Sequence, residues 1–232
     1  MIDKVREAGG EAFGITSEPH ALAVEALEAW DLNFPIIGDP HHEIRKACVE
    51  RGWLDLFFNE NAGHLRNRKW TSHPKGYYQP GVLAMHKSGR VLYRWRCVPK
   101  YSNMAGAGSR PEASYTWDSI RANLSADLDA PLDVDPLLTY QPQSWPRFLL
   151  GMTAHGWFVR PKVFPLMREG DVPSADPEKM MRRVWAFLAM WLVLLVTLPS
   201  AWVFAAAGIW MLALTPGLIE IHKQFQNEPD QF

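Results

Sequence analysis

Hydrophobic and polar positions change period several times along the first half of the chain. Met1–Gly10 is polar and reads as the end of a helix closed by Gly9 and Gly10, because glycine accepts the left-handed conformation that ends helices. Ala12–Thr16 reads as a short apolar strand. Ser17-Glu18-Pro19 then opens a helix whose apolar positions Leu22, Ala26, Leu27 and Trp30 recur at helical spacing. Phe34–Ile37 predicts a second strand, stopped by Gly38-Asp39-Pro40, and Ile44, Ala47 and Cys48 mark one face of a second helix. Trp53–Phe58 is apolar throughout and fits either a strand or a short helix. Asn59–Gln79 is a long polar loop. Gly81–His86 and Val91–Arg96, joined by Lys87-Ser88-Gly89-Arg90, predict a β-hairpin. On its second strand Tyr93, Trp95 and Cys97 share one face while Arg94 and Arg96 share the other. Trp117, Ile120, Leu124 and Leu128 then give a third helix. This order predicts an α/β domain over residues 1–128.

The second half follows a different pattern. Asp127–Gln143 is acidic and rich in proline and reads as linker, within a connecting segment 129–183. Trp145–Met167 mixes aromatics with Arg147, Arg160 and Lys162, a composition suited to a membrane surface. From Val184 to Ile219 no residue is charged. As one helix that run would rise about 54 Å, too long for a hydrocarbon core of about 30 Å. Pro199 divides it into two arms, which predicts a transmembrane helical hairpin over 184–219 and a polar tail over 220–232. Trp185, Trp191, Pro199, Trp202 and Trp210 are its expected anchoring and turning residues. Lys179, Arg182 and Arg183 before the run, and His222 and Lys223 after it, place both ends and the α/β domain on the cytoplasmic side of a membrane. Membrane lipid and other membrane-protein subunits are then the expected partners.

Composition narrows the function classes. In 232 residues, 47% hydrophobic and 21% charged, the chain has the makings of a folded core. A formal net charge of -1 gives no pull toward nucleic acid, which is not expected as a partner. Two distant cysteines exclude a disulfide scaffold and a thiolate zinc cluster. His41 and His42 are adjacent and diverge around a helix, so no metal is expected. The segment Ala105–Pro111 lacks the lysine of a phosphate-binding loop, so no cofactor is expected either. Arg66, Arg68, Lys69, His73 and Lys75 make the polar loop basic, which suits an anion or a partner surface.

Four pieces carry a resemblance: REAGGEAFGITSEP, FPIIGDP, the hairpin QPGVLAMHKSGRVLYRWR and the helix that closes the domain. Together they resemble the AhpC/TSA-type peroxiredoxin-like (redoxin) family, with a thioredoxin-like fold, over residues 1–128. The resemblance implies attack by a cysteine thiolate on a peroxide or disulfide, served by a thiol reductant. The family's reactive cysteine lies in an element that would precede Met1. Pro80 stands where many peroxiredoxins have an active-site arginine and where thioredoxin-type relatives have a cis-proline, so Gln79 and Pro80 are the implied active-site neighbours.

Of the two thiols present, Cys48 sits mid-helix on an apolar face. Cys97, near Arg96 and Lys100, is the stronger candidate for catalysis. Two readings follow: a non-catalytic accessory or scaffold subunit of a membrane complex, favoured for this chain, and a thiol peroxidase or disulfide oxidoreductase that uses Cys97 or an upstream cysteine.

Overall fold

A computed structural model describes residues 1–59, 74–98, 109–139, 143–154 and 177–225. The chain divides into two compact units, one within residues 1–142 and one within 143–226.

The first unit is mixed α/β. Helix α1 (Ile2–Glu7) ends where Gly9 takes φ +79° and the Gly10 N–H donates to the Val5 carbonyl. Strand β1 (Gly14–Thr16), α2 (His20–Ala29) and β2 (Ile36–Gly38) form a parallel βαβ unit, with Gly14 opposite Ile36 and Thr16 opposite Gly38. Gly38 is required by packing, since a Cβ there would strike the backbone of Glu18 and His20. Helix α3 (Glu43–Glu50) follows. The ambiguous run Trp53–Phe58 is mostly irregular and only its end joins β3 (Phe58–Asn59), antiparallel to β4 (Tyr77–Tyr78).

The hairpin forms as its pattern predicts: β5 (Gly81–Met85) pairs antiparallel with β6 (Val91–Arg96). Tyr93, Trp95 and Cys97 are buried together on one face of β6. Val82, Ala84, Tyr115 and Ile120 pack against them, the last two from α4 (Ala113–Ala122). Arg90 donates to the carbonyls of Asn123 and Leu124, a cation set at the end of α4 where the helix dipole favours one.

Within the stretch that reads as linker, Leu132–Asp133 forms β7, parallel to β6. No local pattern announces so short a strand. It is held by long-range bonds: the Asp133 carboxylate accepts from Tyr93 Oη at 2.9 Å and Tyr115 Oη at 3.0 Å, and Asp129 accepts from the Val91 N–H at 2.7 Å.

The second unit is helical. In α5 (Trp145–Ala154) Trp145 is buried and stacks on Phe148. Residues 155–167 of the expected surface segment lie outside the described residues. Helices α6 (Pro177–Thr197) and α7 (Ser200–Phe225) meet at the break made by Pro199. Phe187, Trp191 and Trp210 pack between them with ring centroids 5.5–6.1 Å apart.

The hairpin is real, but its expected role is corrected: among the described residues no helix is long and apolar enough to cross a membrane. The charge-free part of α6, Val184–Thr197, rises only about 21 Å, and α7 carries Pro216 within its charge-free part. A hydrocarbon core is about 30 Å thick. The expected transmembrane hairpin, the membrane localisation and the cytoplasmic placement fall together. The residues expected to anchor it divide between packing and exposure: Trp191 and Trp210 join the contact between α6 and α7, while Trp185 and Trp202 are exposed, and Pro199 sits at the turn.

Candidate functional site

The richest convergence of polar side chains lies at the carboxyl ends of β1 and β2. In open α/β sheets this is the edge at which ligands bind, because loops diverge there and helices begin. Ser17 follows β1 and Asp39 follows β2, and both are buried. The Asp39 N–H donates to the Thr16 carbonyl at 2.7 Å, tying the two strand ends together. Its carboxylate accepts the backbone N–H groups of Glu43 at 2.7 Å and of Ile44 and Arg45 at 3.1 Å each. These are first-turn donors of α3, which have no partner within the helix. Asp39 also accepts the Tyr78 hydroxyl, and the Tyr78 N–H donates to Ser17 Oγ at 3.1 Å.

Electrostatics follow from this geometry. Burial pushes the Asp39 carboxyl up, but the Tyr78 hydroxyl and the three amides outweigh it and hold the carboxyl below its ordinary range. Burial, then the Asp39 carboxylate, push the Tyr78 phenol well above its usual range. His42 takes φ +59° and is buried with its ring 4.5 Å from Tyr78 and 4.9 Å from Phe58, centroid to centroid. His42 Nε2 lies 3.1 Å from the Gly76 carbonyl. A carbonyl can only accept, so Nε2 carries the proton.

Every polar group of this cluster is engaged in holding α3 and β4 to the ends of β1 and β2. A carboxylate saturated by four donors is a poor general base. A histidine whose Nε2 is given to a carbonyl is poorly placed to take a proton there. Among the described residues no three of His, Cys, Asp and Glu converge as metal ligands.

The residues expected to be reactive are brought together in part. The Gln79 N–H donates to the Phe57 carbonyl, and the Cys97 N–H donates to the Pro80 carbonyl, both at 2.8 Å. Gln79, Pro80 and Cys97 are thus neighbours across the start of the hairpin. The Gln79–Pro80 bond is trans, which corrects the cis-proline that the resemblance implies.

Cys97 is fully buried, and burial pushes its thiol up to about 12, with Arg110 only partly offsetting it. Cys48 is half-buried, and burial raises its thiol too. Thiolate is the nucleophilic form, so neither site favours attack. Lys75 is exposed, while Arg66, Arg68, Lys69 and His73 lie outside the described residues.

A direct consequence is measurable. In the native protein at pH 8, Cys97 is expected to react with a thiol-specific disulfide reagent only at the rate of unfolding, and at once in denaturant. Because its folded value exceeds the unfolded one, the stability that Cys97 contributes is complete below about pH 9 and is lost as pH rises toward about 12. Rapid, stoichiometric labelling of native Cys97 would contradict the burial.

The resemblance singled out Gln79 and Pro80 and the sequence singled out Cys97, but both passed over the Asp39–Tyr78 pair. The signal for half of it is present: an aspartate just ahead of a helix whose first turn needs acceptors. No protein-family model, curated protein or solved structure matches this chain.

Proposed function

We propose that this chain is a non-catalytic accessory subunit, an α/β domain of redoxin-like pattern joined to a helical hairpin that docks on another protein. The carrying observation is the apolar surface of α6 and α7. Val196, Leu212, Trp202 and Ile209 are each 70–77% exposed, and Phe204 and Trp185 nearly as much. Between Val184 and Ile219 these helices have no charged side chain to turn toward water. Helices that are apolar all round are normally buried, and a large exposed apolar patch marks an interaction surface. Covering one such patch releases roughly 25 cal/mol per Å² of apolar area, before the costs of association.

The catalytic alternative receives less support. It needs a thiolate, and the thiol closest to Pro80 is the buried Cys97.

The reading is tested by purifying the full chain without detergent from the cells that make it. It is expected to emerge in a stoichiometric complex with a protein subunit. V196E together with W202E is expected to release it as free chain, with the fold of the first unit retained by circular dichroism. Recovery of the wild-type chain free in detergent-free buffer, or only with lipid, would overturn the proposal.

A further inference from the structure

A second site lies on the opposite face of β6 from the aromatic core, in the first unit. Residues 49–55 pass over this face and leave an open cleft of about 210 Å³. At roughly 30 Å³ per water that is room for about seven waters, the scale of a small metabolite. Val49, Trp53, Leu54 and Leu132 give it apolar walls, and Arg94 and Arg96 line it from the strand. Two-residue periodicity puts both guanidinium groups on one side, so the cleft has an apolar body and a cationic floor.

The state of Arg94 points to a ligand. Its Nη1 donates to the Gly52 carbonyl at 2.8 Å and to the Trp53 carbonyl at 3.1 Å, which pins the covering segment. Its Nε is buried and meets no acceptor. The acidic residue in the wall, Asp55, is already paired with Arg45, and Arg94 forms no ion pair among the described residues. A buried cationic N–H left without an acceptor is costly, and native proteins rarely leave one so. The unused edge of the fork, Nε with Nη2, is the edge that matches the two oxygens of a carboxylate in parallel hydrogen bonds.

We propose that this cleft binds a small monocarboxylate with a short apolar body. The carboxylate bonds to Arg94 Nε and Nη2, and the body lies against Trp53, Leu54 and Leu132. The apolar walls decide between anions: an inorganic phosphate fills the cationic floor and leaves the walls wet, whereas a carboxylate on a hydrocarbon or aromatic body covers both. The site is separate from the Asp39 cluster, and the proposal does not depend on the docking role of the hairpin.

The test uses the full chain, with benzoate and 4-methylpentanoate as probes and benzamide and inorganic phosphate as comparisons. Titration followed by NMR is expected to show saturable binding of both carboxylates, with the Arg94 Nε–H resonance shifting on saturation. Benzamide and phosphate are expected to bind at least tenfold more weakly.

R94K keeps the charge but loses the fork, and is expected to weaken the carboxylates about tenfold. Arg94 also pins Gly52 and Trp53, so a second variant leaves it untouched: V49W fills the cleft from its rim and is expected to abolish binding while the native amide spectrum is retained. Equal affinity for benzamide or for phosphate, an unmoved Arg94 signal at saturation, or full binding by folded V49W would each overturn the proposal.

Discussion

Replacing Trp95 by alanine is expected to cost the first unit about 3–5 kcal/mol, the range for removing a buried aromatic from a packed core. Trp95 is 4% exposed and sits between Tyr93 and Cys97 in a cluster against which Val82 and Ala84 of β5 and Tyr115 and Ile120 of α4 pack. Its loss leaves a cavity at the point where the hairpin and α4 meet. Trp30, which is 61% exposed, is the control: W30A is expected to change stability by less than about 0.5 kcal/mol. Hydrogen exchange of the β6 amides under increasing denaturant reads the difference directly. It also avoids assigning one unfolding free energy to a chain of two units. A W95A protein as protected as W30A would show that the core lies elsewhere.

Substituting Asp39 by alanine is expected to cost about 3 kcal/mol. Losing a helix-capping acceptor typically costs about 1 kcal/mol and up to about 2, and leaving the buried Tyr78 hydroxyl without its acceptor adds about 1–3. One carboxylate holds the first turn of α3, the end of β2 and Tyr78, so its removal loosens three elements at once. D39N keeps the shape and an acceptor oxygen and is expected to cost less than D39A.

The same group gives a pH signature. Its folded value lies below its unfolded one, so its contribution is complete above the ordinary aspartate range, near pH 4, and is lost as pH falls below it. Acid unfolding of the wild type should therefore begin below about pH 4, and D39N should lose that part of the pH dependence. Urea midpoints of wild type, D39A and D39N across pH 2.5–7 check both statements. A D39N curve parallel to wild type throughout would remove Asp39 from the account.

Much of the first unit was legible because local pattern and tertiary burial agree there. Alternation along Tyr93-Arg94-Trp95-Arg96 predicts one core face and one cationic face, and β6 has both. Helical spacing likewise located α2, α3 and α4, although α4 ends at Ala122 and two of its expected apolar positions, Leu124 and Leu128, lie beyond it and are exposed. Two-residue strands such as β3, β4 and β7 carry no period of their own; they exist because a partner far along the chain holds them. β7 depends on Asp133 accepting from Tyr93, separated by 40 residues.

The candidate site divides in the same way. The cap by Asp39 is a local signal, whereas its bond to Tyr78 spans 39 residues and has no trace in the sequence. The resemblance drew attention to Pro80, and the cations near Cys97 in sequence drew attention to that thiol. The structure does set their backbones side by side, yet with a trans bond and a thiol sealed in the core, neither of which the sequence announces. In the second unit the break at Pro199 and the apolarity of both arms were readable. Yet no helix among the described residues combines the length and the apolarity that a membrane crossing needs, which composition alone does not reveal.

The central claim is that this domain acts by binding and not by thiol chemistry. Steady-state peroxide consumption by the full chain, supplied with a dithiol reductant at neutral pH, tests it most directly. The account predicts a rate indistinguishable from reductant alone and unchanged by C97S. Turnover above that background, lost when Cys97 becomes serine, would contradict it.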